Sequence, residues 1–69
     1  MNNRIAVLRS QRGWTQAELA KAVNVSRQTI ISVERGRFDP SLPLAFALAR
    51  CFDSTIEAIF DPNGASDGR

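Results

Sequence analysis

The sequence predicts an all-α domain of five short helices, and three observations carry that prediction. Apolar residues recur three or four apart in successive short segments, as on one face of a helix. Two of these segments, QAELAKAV and SRQTIISV, are separated only by Asn24 and Val25, a break too brief for an ordinary loop. Ala20 stands where two helices joined so tightly must approach most closely, and its methyl group lets them cross at a steep angle. The domain is expected over residues 1–61. Residues 62–69, PNGASDGR, carry no apolar periodicity and read as a disordered tail.

Helix one is expected from Asn3 to Arg12, with Ile5 and Leu8 on one stripe. Gly13, free to take positive φ, ends it, and Arg12 suits the negative end of its dipole. The order Trp14, Thr15, Glu18, Leu19 then reads as a hydrophobic staple with a capping box, so the start of helix two is set twice over. Trp14 is expected as a core anchor between helices.

Helix two, Gln16 to Val23, turns Leu19, Ala20 and Val23 inward. Gln16 at its start has two readings: a contact to a phosphate, or an amide that merely caps its own helix. Asn24 tolerates a left-handed conformation and can end the helix, while the Ser26 hydroxyl can cap the next. Helix three, Arg27 to about Arg35, points Ile30 and Val33 inward and leaves Arg27, Gln28, Thr29 and Ser32 on a polar face. Such side chains match base edges in a major groove: Arg to guanine O6 and N7, Gln to adenine N6 and N7, the Thr methyl to the thymine methyl. Each would otherwise be an ordinary solvated residue. A tight turn, a capped start and flanking basic groups favour the contact. Ile31, apolar beside that face, is expected to line its edge.

Gly36 closes helix three between Arg35 and Arg37, whose planar guanidinium groups can each bond two phosphate oxygens. Helix four, Leu42 to Phe52, starts near Ser41 with Pro43 in its first turn and is apolar almost all round. If Ala45, Leu48, Ala49 and Phe52 face inward, Leu42 and Phe46 face out. Cys51 reads as a small buried hydrophobe. Ser54 and Glu57 suggest a capping box for a fifth helix through Phe60, with Ile56 and Ile59 facing in. Of Ile59 and Phe60, one at most was expected to fit inside, so Leu42, Phe46, Ile59 and Phe60 together are the expected surface for a second copy.

At 69 residues the chain has room for one small core, and a domain of this size often gains stability from a partner subunit. One cysteine cannot form an internal disulfide, and nothing resembles a signal peptide or a membrane span. A cytoplasmic location is expected. The net charge of +2 is unevenly placed. Residues 1–37 hold seven basic groups against Glu18 and Glu34, whereas residues 38–69 hold two against five acids. A polyanion would meet the first half.

Gln16, Ala20, Asn24, Val25, Ile30 and Val33 fall on the spacing of a known motif, and the phrases TQAELA, VSRQTI, ERG and PSLPLAFALA extend the match from about Asn3 to about Phe60. The chain resembles the lambda-repressor-like, Xre-type helix-turn-helix transcriptional regulators. It departs from them at Asn24, where the family most often has Gly, and at Pro43. The resemblance implies a compact five-helix fold, sequence-specific binding of double-stranded DNA and a homodimer on a palindromic operator, most often as a repressor. It also implies that Arg9 pairs with Glu34. DNA-binding residues are then expected at Gln16, Ser26, Arg27, Gln28, Thr29, Ser32, Arg35 and Arg37.

Catalysis lacks its usual instruments: there is no His, no Tyr and no Gly-rich phosphate loop, and no metal or cofactor is expected. An antitoxin that neutralises a toxin through its apolar C-terminal half is the alternative, although the eight residues after Asp61 are short and polar for a toxin-binding segment. A controller of a restriction-modification operon would differ only in the promoter bound.

Overall fold

Four helices of this protein stop in the same way, and those stops set the shape of the domain. A computed structural model describes residues 2–61; the expected disordered tail lies outside the described residues. The helices are α1 (Ile5–Gln11), α2 (Gln16–Ala22), α3 (Arg27–Glu34), α4 (Leu42–Cys51) and α5 (Ile56–Ile59). After each of the first four, one residue takes positive φ: Gly13 at 71°, Asn24 at 61°, Gly36 at 74° and Asp53 at 53°. The next N–H then bonds back five residues, Trp14 to Arg9, Val25 to Ala20, Arg37 to Ser32 and Ser54 to Ala49. The positive-φ residue itself bonds back three, to Ser10, Lys21, Val33 and Arg50. These are Schellman closures, which satisfy the last carbonyls of each helix while reversing the chain.

The starts are capped as locally. Glu18 N donates to Thr15 Oγ1 at 3.0 Å while Thr15 N donates to Glu18 Oε1 at 2.8 Å, the reciprocal box expected of them. Ser26 Oγ accepts from Thr29 N, and Ser41 Oγ from Leu44 N with Pro43 in the first turn, where its missing N–H costs nothing. The fifth helix corrects the expectation by one residue. Thr55, not Ser54, is its cap, accepting from Ala58 N at 3.1 Å, because the Ser54 N–H closes α4.

All five helices contribute to one core. Ile5, Leu19, Ile30, Val33, Leu48 and Ile59 are fully buried, with Ala20, Leu44, Ala45, Ala49, Phe52 and Phe60 around them. Trp14 anchors the α1–α2 corner as expected, its ring stacked on Phe52 at 5.5 Å. Arg12 lies over both rings, 5.6 and 5.3 Å from their centroids, and donates to the Phe52 carbonyl at 2.9 Å. Cys51 is half-buried; desolvation pushes its thiol up from the ordinary range, and the Arg12 charge offsets this in part.

Two features were not expected. Asn2–Asn3 forms a two-residue strand, β1, paired antiparallel with β2 (Phe60–Asp61), with Asn3 opposite Phe60. Phe60 therefore leaves the helix with extended dihedrals, φ −109° and ψ 138°, and its side chain turns back into the core. Ile59 at 1% and Phe60 at 5% exposure are both interior, so neither is available to a second copy. Among the described residues no helix is long and apolar enough to cross a membrane.

Candidate nucleic-acid interface

Helix α3 is fixed from below by Ile30 and Val33, both buried against the core. Successive residues advance by about 100° in a helix, so the stripe opposite that pair runs Gln28, Ile31, Ser32, Arg35, at spacings of three, four and seven. Gln28 and Arg35 are exposed on it, while Ile31 and Ser32 are half-buried. Arg27 and Thr29 flank the stripe on either side. The structure thus brings together most of the residues expected on this face and gives them an order: Gln28 stands near the centre of the stripe, Arg27 and Thr29 at its edges.

Ser26 and Thr29 are turned partly to each other. The Ser26 hydroxyl accepts the Thr29 N–H at 3.1 Å and shares a second hydrogen bond with the Thr29 hydroxyl at 2.9 Å. Ser26 acts first as a cap. At the other end of α3, the Arg37 N–H bonded to the Ser32 carbonyl at 3.1 Å folds the exit loop back beside the helix. Arg35 and Arg37 are both exposed there.

Gln16 is not capping its own helix, since Thr15 does that. Its Nε2 donates instead to Glu34 Oε1 at 3.1 Å, across from the start of α2 to the end of α3. The other carboxylate oxygen accepts from Arg9 Nε at 2.7 Å, and Arg9 Nη1 reaches the Trp14 carbonyl at 2.9 Å. The Arg9–Glu34 pair implied by the resemblance is thus present. With side chains only 19% and 8% exposed, it is partly sheltered and hydrogen-bonded at both ends, which is when such a pair holds geometry most firmly.

This network also lowers the charge offered outward. Of the seven basic groups in residues 1–37, Arg9 is neutralised by Glu34, so Lys21, Arg27, Arg35 and Arg37 supply most of the positive potential near α2 and α3. A count along the sequence missed that division. It missed Asn3 as well, whose Nδ2 donates to the Val33 carbonyl in the last turn of α3 at 2.7 Å.

On α4, Leu42 and Phe46 are exposed, as expected, at 63% and 48%. A shallow, mostly apolar groove is lined by Phe46, Ala49 and Ile56, together with Arg50 and Glu57.

Comparison with known proteins gives a consistent picture. The family model described as "Helix-turn-helix" matches residues 5–59. An uncharacterised HTH-type transcriptional regulator of Methanocaldococcus jannaschii is 50% identical over 60 residues, covering 87% of this chain and 91% of that protein. The crystal structure of the restriction-modification controller protein C.AhdI from Aeromonas hydrophila is similar with a TM-score of 0.75 at 32% identity, covering 83% of this chain and 86% of that one. The antitoxin HipB of Escherichia coli O6:H1 is 31% identical over 64 residues, covering 93% of this chain and 67% of that protein.

Proposed function

The chain belongs to the helix-turn-helix family of DNA-binding transcriptional regulators, and from that membership we propose that it is a repressor that binds a palindromic operator as a homodimer, with α3 in the major groove. The observation that carries this reading is the outward stripe of α3. Gln28, Ile31, Ser32 and Arg35 form a polar surface with one apolar member, on a helix capped at its start and held from beneath. Gln28, with Arg27 at the edge of the stripe, supplies the paired donors and acceptors that base edges require, and Ile31 offers a surface to a thymine methyl. Arg37, with Arg35 beside it, neutralises phosphates and fixes the approach without reading sequence. Gln16 joins them as a neutral donor to the backbone. The exposed Leu42 and Phe46 seat the second protomer, on the half of the chain where acidic groups prevail.

Similarity to the controller C.AhdI supports a neighbouring reading, in which the regulated operon encodes a restriction-modification system. Similarity to the antitoxin HipB supports another, in which a toxin is the second partner.

Selection of bound duplexes from a random DNA pool, followed by in vitro transcription from a promoter overlapping the enriched site, tests the proposal. The expected result is an inverted repeat whose half-sites lie about one helical turn apart, with transcription falling as protein is added. Enrichment of no sequence removes specific recognition. Rising transcription removes repression, and stoichiometric copurification of a toxin with the natively expressed chain moves the assignment to an antitoxin.

A further inference from the structure

Resting on the DNA-binding reading above, we infer that Glu34 is a positioning residue for DNA: its carboxylate fixes the Gln16 amide so that this amide presents its remaining N–H to a backbone phosphate. The chemistry of the pair requires the orientation. A carboxylate can only accept hydrogen bonds, so the atom of Gln16 that lies 3.1 Å from Glu34 Oε1 must be Nε2. An amide nitrogen has two hydrogens, and one satisfies Glu34. The second remains for a ligand, on a side chain that is half-buried and has lost most of its freedom.

The charge arrangement makes the position workable. A carboxylate directly behind a phosphate contact would repel the phosphate, but here Arg9 sits on the opposite side of it, with Nε 2.7 Å from Oε2 and Nη2 3.4 Å from Oε1. The guanidinium cancels the carboxylate charge while leaving its hydrogen-bonding capacity toward Gln16. Arg9 is itself held by the Trp14 carbonyl. The network Trp14, Arg9, Glu34, Gln16 is therefore complete before DNA arrives, and Gln16 needs little reordering to bind. Because Gln16 is neutral, its contact releases no counterion of its own, which separates it from Arg35 and Arg37 in any salt titration.

A double-mutant cycle on the full chain, read as affinity for the duplex enriched from the random pool, tests the inference. Gln16→Ala should weaken binding about five- to tenfold, with the salt slope unchanged. Glu34→Gln, which cannot accept from Arg9 and Gln16 with two oxygens at once, should cost a comparable factor in the wild-type background and less than about twofold in the Gln16→Ala background. Active protein is counted by stoichiometric titration, so that loss of folded material does not pass for loss of affinity. If Glu34→Gln does not fold, Glu34→Asp takes its place; the shorter side chain draws the carboxylate away from Gln16 and should show the same coupling. Equal losses in both backgrounds overturn the inference and leave Glu34 as a support for α3 alone. An unaffected Gln16→Ala overturns it from the other side. A wild type that binds no duplex refutes the DNA-binding reading, and the inference with it; wild-type binding with an additive cycle refutes the inference alone.

Discussion

Asn3 donates from Nδ2 to the carbonyl of Val33 at 2.7 Å, which ties a residue near the start of the chain to the last turn of α3. The same side chain accepts the Ile5 N–H through Oδ1 at 3.1 Å, and its backbone pairs with Phe60. One short polar side chain thus caps α1, whose own N-cap position, Arg4, makes no side-chain bond, and holds α3 in place.

Asn3→Ala should accordingly lower stability by about 1–2 kcal/mol, the sum of a lost cap and a partly sheltered hydrogen bond. Urea denaturation at equilibrium reads this directly as a lower midpoint with unchanged slope. A midpoint within error of the wild type would show that both bonds are replaced by water without loss.

How far the sequence disclosed this arrangement depended on the range of each interaction. The closures at Gly13, Asn24 and Gly36 were legible because Gly and Asn stand out as residues that accept positive φ. Asp53 accepts it too, at 53°, but Asp is common in loops for other reasons, and the neighbouring Ser54 drew the cap one residue early. The two faces of α3 were legible from period alone. The Gln16–Glu34 bond, across 18 residues, leaves no local pattern, and the Asn3–Val33 bond, across 30, leaves none either. Ile59 faces in as its helical spacing suggested, but room for Phe60 beside it was not legible, because the switch to strand at Phe60 depends on Asn3, at the other end of the domain.

Base discrimination should centre on Gln28 and Arg27. Alanine at either position is expected to cost about 1–3 kcal/mol against the best site and to relax preference at one base pair. The central place of Gln28 on the stripe predicts that its substitution broadens specificity more. Repeating the random-pool selection with each variant measures this. A uniform loss over all sequences would move the residue concerned to the phosphate-binding class.

Arg35 and Arg37 flank Gly36 at the α3 closure, exposed and beside the backbone path expected of a groove-bound α3. Replacing either with Ala should weaken binding to specific and random duplexes alike and lower the steepness of log affinity against log salt by about one. Titrations from low to moderate salt supply that slope, and an unchanged value removes the residue from the phosphate contacts.

The proposed homodimer has a smaller surface to use than the sequence suggested, since Ile59 and Phe60 are interior and only Leu42 and Phe46 remain of the four expected residues. Phe46 lines a groove together with Ala49 and Ile56, and Arg50 and Glu57, one of each sign, line it too. In the proposed two-fold dimer each Phe46 is expected to enter the partner groove, and Arg50 of one copy to meet the acid of the other, twice. Phe46→Glu replaces the apolar side chain of the contact by a charged one that must lose its water on burial, so the variant should sediment as a monomer at micromolar concentration where the wild type is expected to sediment as a dimer. It should also lose most of its operator affinity, because two copies of α3 about 34 Å apart would no longer be delivered together. Leu42→Ala should weaken the dimer less, as a smaller apolar loss of about 1–2 kcal/mol in a contact it borders. A monomeric wild type refutes the dimer outright, whereas a Phe46→Glu chain that stays dimeric and binds DNA normally keeps the dimer and places its contact elsewhere on the molecule.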